Sequence, residues 1–317
     1  MMAIYTFGVW MAIYLLGTNT EVPEGLHWCQ LLCLGISTFL IVELNNSNAL
    51  LRIRSRMVSA TFLGFTSTTC FLVGSISEDI VQLCFIGMLI ILFQTYQNPT
   101  MFKWHFYSFL CIGTGSLFCV HILWFVPLLW ILTATQLQSL NFRTWIASLI
   151  GLATPYWFAM PWVIYQKDLH IATRHFAPLG QLNLYLNSSS FTIRQTGIFI
   201  LTIILLLFSI GHFWLKSYED KIRIRMLLGF FIAICLFCLL LIGVQPQQYS
   251  LFIRILILCA SPLIAHFFTF TNSRETNVIF IITVALAFVL TVFNIFNLQM
   301  EQFASFFTKI WNGSLIF

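Results

Sequence analysis

Residues 104–137 read WHFYSFLCIGTGSLFCVHILWFVPLLWILTATQL, an unbroken stretch of 34 positions without one Asp, Glu, Lys or Arg. At 1.5 Å per residue a single helix of that length would measure about 51 Å, far more than the ~30 Å hydrocarbon core of a bilayer. The run is therefore expected to fold as two short helices meeting near Cys119–His121, either as two crossings or as a re-entrant hairpin.

The rest of the chain has the same character. Of 317 residues, 59% are apolar and only 8% are charged, and 34 are Phe. A soluble domain carries about 25% charge and needs it to cover its surface; a lipid-facing surface does not. Eleven apolar segments are long enough to cross or nearly cross, near 2–17, 28–44, 57–76, 80–97, 104–119, 121–137, 144–165, 195–215, 226–244, 251–271 and 276–298. The predicted fold is an all-α polytopic transmembrane bundle of about 11 spans (10–12), forming one domain over 1–298. Segment 166–194 is the longest external loop. The tail 299–317 is expected to lie along the interface, since Phe303, Phe306, Phe307, Ile310 and Trp311 recur at helical spacing. Met1–Gly17 has no basic n-region and no small-residue cleavage site, so it reads as a retained span.

Fifteen Lys and Arg face ten Asp and Glu, a formal charge of +5. Most of the basic residues sit in short loops, where they set topology; no nucleic-acid partner is implied. Placing Arg52, Arg54 and Arg56 in the cytoplasm also places Lys103, Arg143, the Lys216–Arg225 cluster and Arg274 there. That arrangement satisfies the positive-inside rule and predicts a bacterial inner-membrane protein with a cytoplasmic N-terminus. Trp28, Trp104, Trp145, Trp162 and Trp214 fall at span ends, where an indole keeps its N–H wet. All nine cysteines lie in or beside apolar runs, which excludes a disulfide framework, and Cys235 and Cys238 read as packing residues despite their C-x-x-C spacing. Pro127, Pro155, Pro161 and Pro262 lie within spans and should bend them, most of all in GLATPYWFAMPW, residues 151–162.

Three polar clusters offer chemistry. The first external loop, TNTEVPEGLHW (18–28), holds Glu21 and Glu24, two carboxylates suited to general-base work; a solvated turn is the plain alternative. In segment 166–194, His170 and Arg174 share a helical face and His175 adds a second imidazole, a set able to hold a phosphate or to anchor at headgroups. On the cytoplasmic side Asn45, Asn46 and Asn48 precede Arg52, Arg54 and Arg56, which are expected to contact anionic lipid; the asparagines are more polar than a turn requires. Within the spans, Arg254 is expected to snorkel and His266 to bond a neighbouring helix, with His121 and His212 near span ends. No Asp or Glu falls mid-span in this segmentation, which weighs against an ion-coupled carrier. No P-loop, dinucleotide glycine motif, H-E-x-x-H or G-x-S-x-G occurs. No metal centre and no cofactor are expected.

The succession IVELNNSNALLRIRSRM (41–57), a helix pair, QTYQNPTMFKWHFYSFLCIGTGSLFCVHILWFVPLLWI (94–131) and FRTWIASLIGLATPYWFAMPW (142–162) resembles an uncharacterised family of bacterial envelope membrane proteins, best represented in Bacteroidota, over residues 28–165. More remotely, the helix order looks like the N-terminal part of the GT-C glycosyltransferases. That resemblance implies a polyprenyl-phosphate-linked sugar as substrate at the external face and a catalytic carboxylate in the first external loop, where Glu21 and Glu24 stand. It also implies a phosphate-holding role for Arg174 with His170 or His175. The loop here is only about ten residues, shorter than the class usually has, and lacks an Asp-Asp or Asp-x-Glu pair. Two other readings stay open: a non-catalytic subunit or scaffold working with other membrane subunits, and a permease for lipids or small molecules.

Overall fold

The computed structural model describes residues 2–16, 24–53, 55–69, 75–165, 170–180, 191–271 and 274–311, with the backbone alone at 15, 16, 24, 25, 171, 172 and 298–311. Helices follow one another as α1 (Met2–Leu16), α2 (Glu24–Asn48), α3 (Met57–Thr68), α4 (Ile76–Phe93), α5 (Phe102–Phe118), α6 (Phe125–Thr135), α7 (Phe142–Tyr165), α8 (His170–Gly180), α9 (Ile193–Lys216), α10 (Ile222–Val244), α11 (Tyr249–Phe270) and α12 (Arg274–Trp311). No strand occurs among the described residues. Each of the eleven predicted segments overlaps a helix, the third (57–76) only over Met57–Thr68 among the described residues. Seven helical stretches, in α2, α4, α7, α9, α10, α11 and α12, are long and apolar enough to cross a bilayer. The protein is a multi-pass membrane protein. α1 and the stretch Val120–Thr135 are apolar but shorter.

Bare helices with apolar exteriors would not survive in water, and this one has many. Phe39, Trp157, Phe158, Ile164, Leu215 and Ile281 are all largely exposed. Burial in lipid removes that cost. The five tryptophans expected at span ends are all exposed as well.

The centre of the bundle is α11. Its sequence is apolar around its whole circumference, and nearly every residue from Tyr249 to Phe267 is buried. Around it stand α3, α9, α10 and α4. Phe93 of α4 wedges edge-on between Phe230 and Phe231 of α10, at 5.2 and 5.4 Å between ring centroids. Phe125 of α6 meets Phe85 and Phe237 in the same edge-to-face manner. Cys235, Cys238 and Cys259 are fully buried packing residues.

The charge-free run divides where length required. α5 ends at Phe118, a 3₁₀ turn occupies Val120–Trp124, and α6 returns. Gln97 N–H donates to Leu137 O at 2.8 Å, and Thr95 Oγ1 donates to Ser139 Oγ, so the far ends of α5 and α6 come back together. α7 continues as one helix through Pro155 and Pro161. It lies against α5 at backbone distance: a Cβ on Gly151 would stand 2.4 Å from Phe106 O, and one on Gly113 would stand 2.7 Å from Leu152 O. Small residues allow this approach, as is common between membrane helices.

Within segment 166–194, α8 occupies His170–Gly180. α12 is helical through Trp311, so the start of the tail continues the last helix; residues 312–317 lie outside the described set.

Gly151→Ala and Gly113→Ala should each force α5 and α7 apart, a loss of about 1–3 kcal/mol typical of overpacking. Gly243→Ala, whose added methyl meets nothing within 4 Å, should be neutral. Thermal unfolding in detergent distinguishes the three.

Candidate functional site

Polar side chains gather at the two ends of α11. At its first turns, Ser250 and Arg254 lie four residues apart and face the start of α4. There Ser75, Glu78 and Asp79 form the helix entry, with Ser75 Oγ donating to Glu78 Oε2 at 2.7 Å. Both acids sit in the first turn of α4, where the helix dipole favours negative charge. Arg254 donates to Asp79 and stands 3.4 Å from Glu78 Oε2. Ser250 Oγ donates to Glu78 Oε1, and Gln30 of α2 hydrogen-bonds Asp79. The side chains of Arg254, Glu78 and Asp79 are only 11%, 16% and 13% exposed. Three helices are thereby tied at what we term the acidic end.

This cluster corrects two expectations. Arg254 does not snorkel to headgroups; it turns inward because two carboxylates await it. The start of the fourth span also moves, since α4 begins at Ile76 and not at residue 80 and so includes Glu78 and Asp79 in its first turn. The sequence signal was present: Ser75-x-x-Glu78 is a helix-start signature, and it announces a helix that carries Glu78 and Asp79 inside it.

A second cluster marks the opposite, arginine end. Arg52 holds Asp220 through Nη2 at 2.6 Å and Nε at 2.7 Å, and His266 Nε2 lies 3.2 Å from the other carboxylate oxygen. Asp220 is 2% exposed, so its charge has to be matched within the protein. Arg52, expected to contact anionic lipid, is committed to Asp220. His266 finds the neighbour it was expected to find, in the α9–α10 turn. Arg223 donates to Asn48 Oδ1 at 3.1 Å, and Asn45 Oδ1 accepts from Leu51 N–H, holding the turn in which Ala49 takes a φ of 48°. The surplus of asparagine therefore closes α2 and docks the α10 entry.

The other predicted residues disperse. Glu21 and Arg54 lie outside the described residues; Glu24 opens α2, with its side chain undescribed. His170 and Arg174 are exposed on α8. His175 leaves them, its Nε2 lying 3.0 Å from Ser116 O and its ring against Tyr156, so it docks α8 to α5 and α7. The expected trio is not brought together. Among the described residues no three His, Cys, Asp or Glu side chains are placed to hold a metal ion.

Beside the acidic cluster lies a cavity of about 50 Å³, bounded by Asp79, Arg254, Gln30 and Gln82 and by Thr6, Trp10 and Leu34. That is room for a few waters. A groove of about 600 Å³ between α1 and α2, floored by α3, shares Thr6, Trp10 and Leu34 with it and reaches Arg56. α1 and α2 meet near the acidic end, where Trp10 and Tyr14 pack on His27 and Tyr14 on Trp28, at 5.8 to 6.1 Å between centroids. Toward the arginine end they leave the groove open.

Compared with known proteins, the chain matches no family model, no curated protein and no solved structure.

Replacing Arg254 by Gln leaves two mostly buried carboxylates unmatched. Breaking such a pair from one side costs about 3–5 kcal/mol. Adding Asp79→Asn to Arg254→Gln should recover part of that loss. A double-mutant cycle by thermal unfolding in detergent reads it out, and strictly additive losses would contradict the pairing.

Proposed function

We propose that this is a lipid permease of the bacterial cell envelope, residing in the inner membrane with the arginine end in the cytoplasm. One observation carries the proposal: Thr6, Trp10 and Leu34 belong both to the lipid-exposed groove and to the polar cavity. A headgroup moving between leaflets needs polar contacts along a path whose outer side stays open to the acyl chains. The α1–α2–α3 groove supplies such a path. Arg56, Ser59 and Thr38 stand toward one end, Thr6 and Ser67 midway, and Gln30, Gln82 and Asp79 at the other. Ser67 Oγ donates to Thr6 Oγ1 at 3.1 Å, continuing the polar line between α3 and α1. The positive-inside rule supports the orientation.

The GT-C-like reading, in which a polyprenyl-phosphate-linked sugar reacts at the external face, keeps one supporting observation. The acid pair Glu78 and Asp79 stands at the end assigned to the exterior. A general base, however, needs a lone pair turned to its acceptor. Glu78 already accepts from Ser75 and Ser250, and Asp79 from Arg254 and Gln30. That engagement favours a structural and electrostatic role over proton abstraction.

Purified protein in liposomes containing a headgroup-labelled phospholipid should exchange the label between leaflets faster than empty vesicles. Trp10→Ala should quicken the exchange by removing the ring between groove and cavity. Rates equal to those of empty vesicles would end the permease proposal. Transfer of sugar from a polyprenyl-phosphate donor, lost in Glu78→Gln or Asp79→Asn at equal protein levels, would favour the enzyme instead.

A further inference from the structure

We infer that the groove between α1 and α2 is a binding site for an anionic phospholipid of the leaflet at the arginine end. Its phosphate rests on Arg56, and one acyl chain runs along Phe39, Leu34 and Trp10. For the lipid's later fate the inference rests on the permease reading; for binding it stands separately.

Arg56 differs from three arginines that are committed within the bundle. Arg52, Arg223 and Arg254 each hold a carboxylate or an amide within the protein. Arg56 is exposed, and among the described residues none hydrogen-bonds or ion-pairs with its guanidinium. It is also the residue that caps α3, so the positive end of that helix points to the same place and adds to its charge. Arg56 lines the groove directly. A planar fork of donors with no partner among the described residues, set at the mouth of an apolar channel, matches a phosphate with a hydrocarbon tail.

The dimensions agree with one acyl chain. On α2 the groove extends from Val42 to Leu31, about 16 Å at 1.5 Å per residue, close to the ~15 Å depth of one leaflet. A polyprenyl chain is far longer than one leaflet and would overrun it. Ser59 Oγ donates to Arg56 O and Thr38 Oγ1 to Leu34 O, so these hydroxyls keep only acceptor oxygens toward the groove and an acyl chain can lie against them. Gly35 leaves open space within 4 Å of where a Cβ would stand. Trp10 limits the far end.

The test uses the whole protein in nanodiscs with a photoactivatable acyl chain carried on phosphatidylglycerol or, in parallel, on phosphatidylcholine, with the labelled peptides mapped by mass spectrometry. Phosphatidylglycerol should label α1 and α2 about fivefold more than phosphatidylcholine, the worth of one arginine at an anionic lipid surface. Arg56→Gln should reduce it to the phosphatidylcholine level, while Arg56→Lys keeps part of the preference because it keeps the charge. Gly35→Trp should abolish labelling of the groove by both lipids, and thermal unfolding verifies that each variant is folded. Equal labelling of the wild type by both lipids overturns the inference, as does phosphatidylglycerol labelling unchanged in Arg56→Gln. Lipid exchange measured in the same preparations separates the two claims. Labelling as expected without exchange keeps the site and ends the permease; exchange with labelling indifferent to Arg56 does the reverse.

Discussion

A buried charge in a lipid-embedded bundle must meet its opposite inside the protein, and α11 is where this protein meets that constraint. Arg254 near its start answers Glu78 and Asp79; near its end His266 lies against Asp220, whose charge Arg52 answers. Twelve residues separate the two, about 18 Å of helix, and everything between is apolar or internally satisfied. Apolar packing alone is tolerant of sliding and rotation, because one aliphatic surface fits another almost anywhere. Polar contacts at both ends remove that freedom. They fix the rotation of α11 and its height relative to α4, α2 and the α9–α10 turn, and the Phe93 and Phe125 clusters then fill the interior at a register already decided.

The same constraint explains what is left loose. α1 carries no charge and shares only hydroxyl and aromatic contacts with its neighbours, notably Thr6 with Ser67 and Trp10 with His27. Lacking a polar tie at the arginine end, it packs on α3 and diverges from α2. In water the resulting furrow would expose a costly apolar surface. In a bilayer lipid occupies it at little cost, so the fold can keep a groove that a soluble protein would have to close.

The helices were legible because hydrophobicity and length are local properties. Splitting 104–137 near Cys119 needed only the thickness of a bilayer, and the structure puts a 3₁₀ turn there. The site was not legible, for the opposite reason. Arg254 stands 175 residues from Asp79, and Arg52 stands 168 from Asp220. Periodicity reports which way a residue faces along its own helix and says nothing of what another helix brings opposite. Hydropathy averaging also hid the acids, because two carboxylates at the start of α4 move the apparent boundary of the span past themselves. Snorkelling was a fair inference for an arginine four residues into a span; it failed because the alternative partner was invisible. Glu21, Glu24, His170, Arg174 and His175 drew notice for being polar in loops, the places where polarity is least informative.

The two ends of the groove are electrostatically unlike. At the acidic end two carboxylates share one guanidinium next to the cavity. At the arginine end Arg56 is positive and, among the described residues, unpaired, at the start of a helix. An anionic headgroup is therefore attracted to the arginine mouth, and the low dielectric beside it lets that field extend further than it would in water. In the permease proposed above, a headgroup favoured at the arginine end alone is not held at both ends, and net movement follows the lipid gradient. The locked triad of Arg254, Glu78 and Asp79 is then useful because it is locked. Its carboxylates stay turned to Ser75, Ser250, Gln30 and Arg254 and so away from any headgroup in the groove.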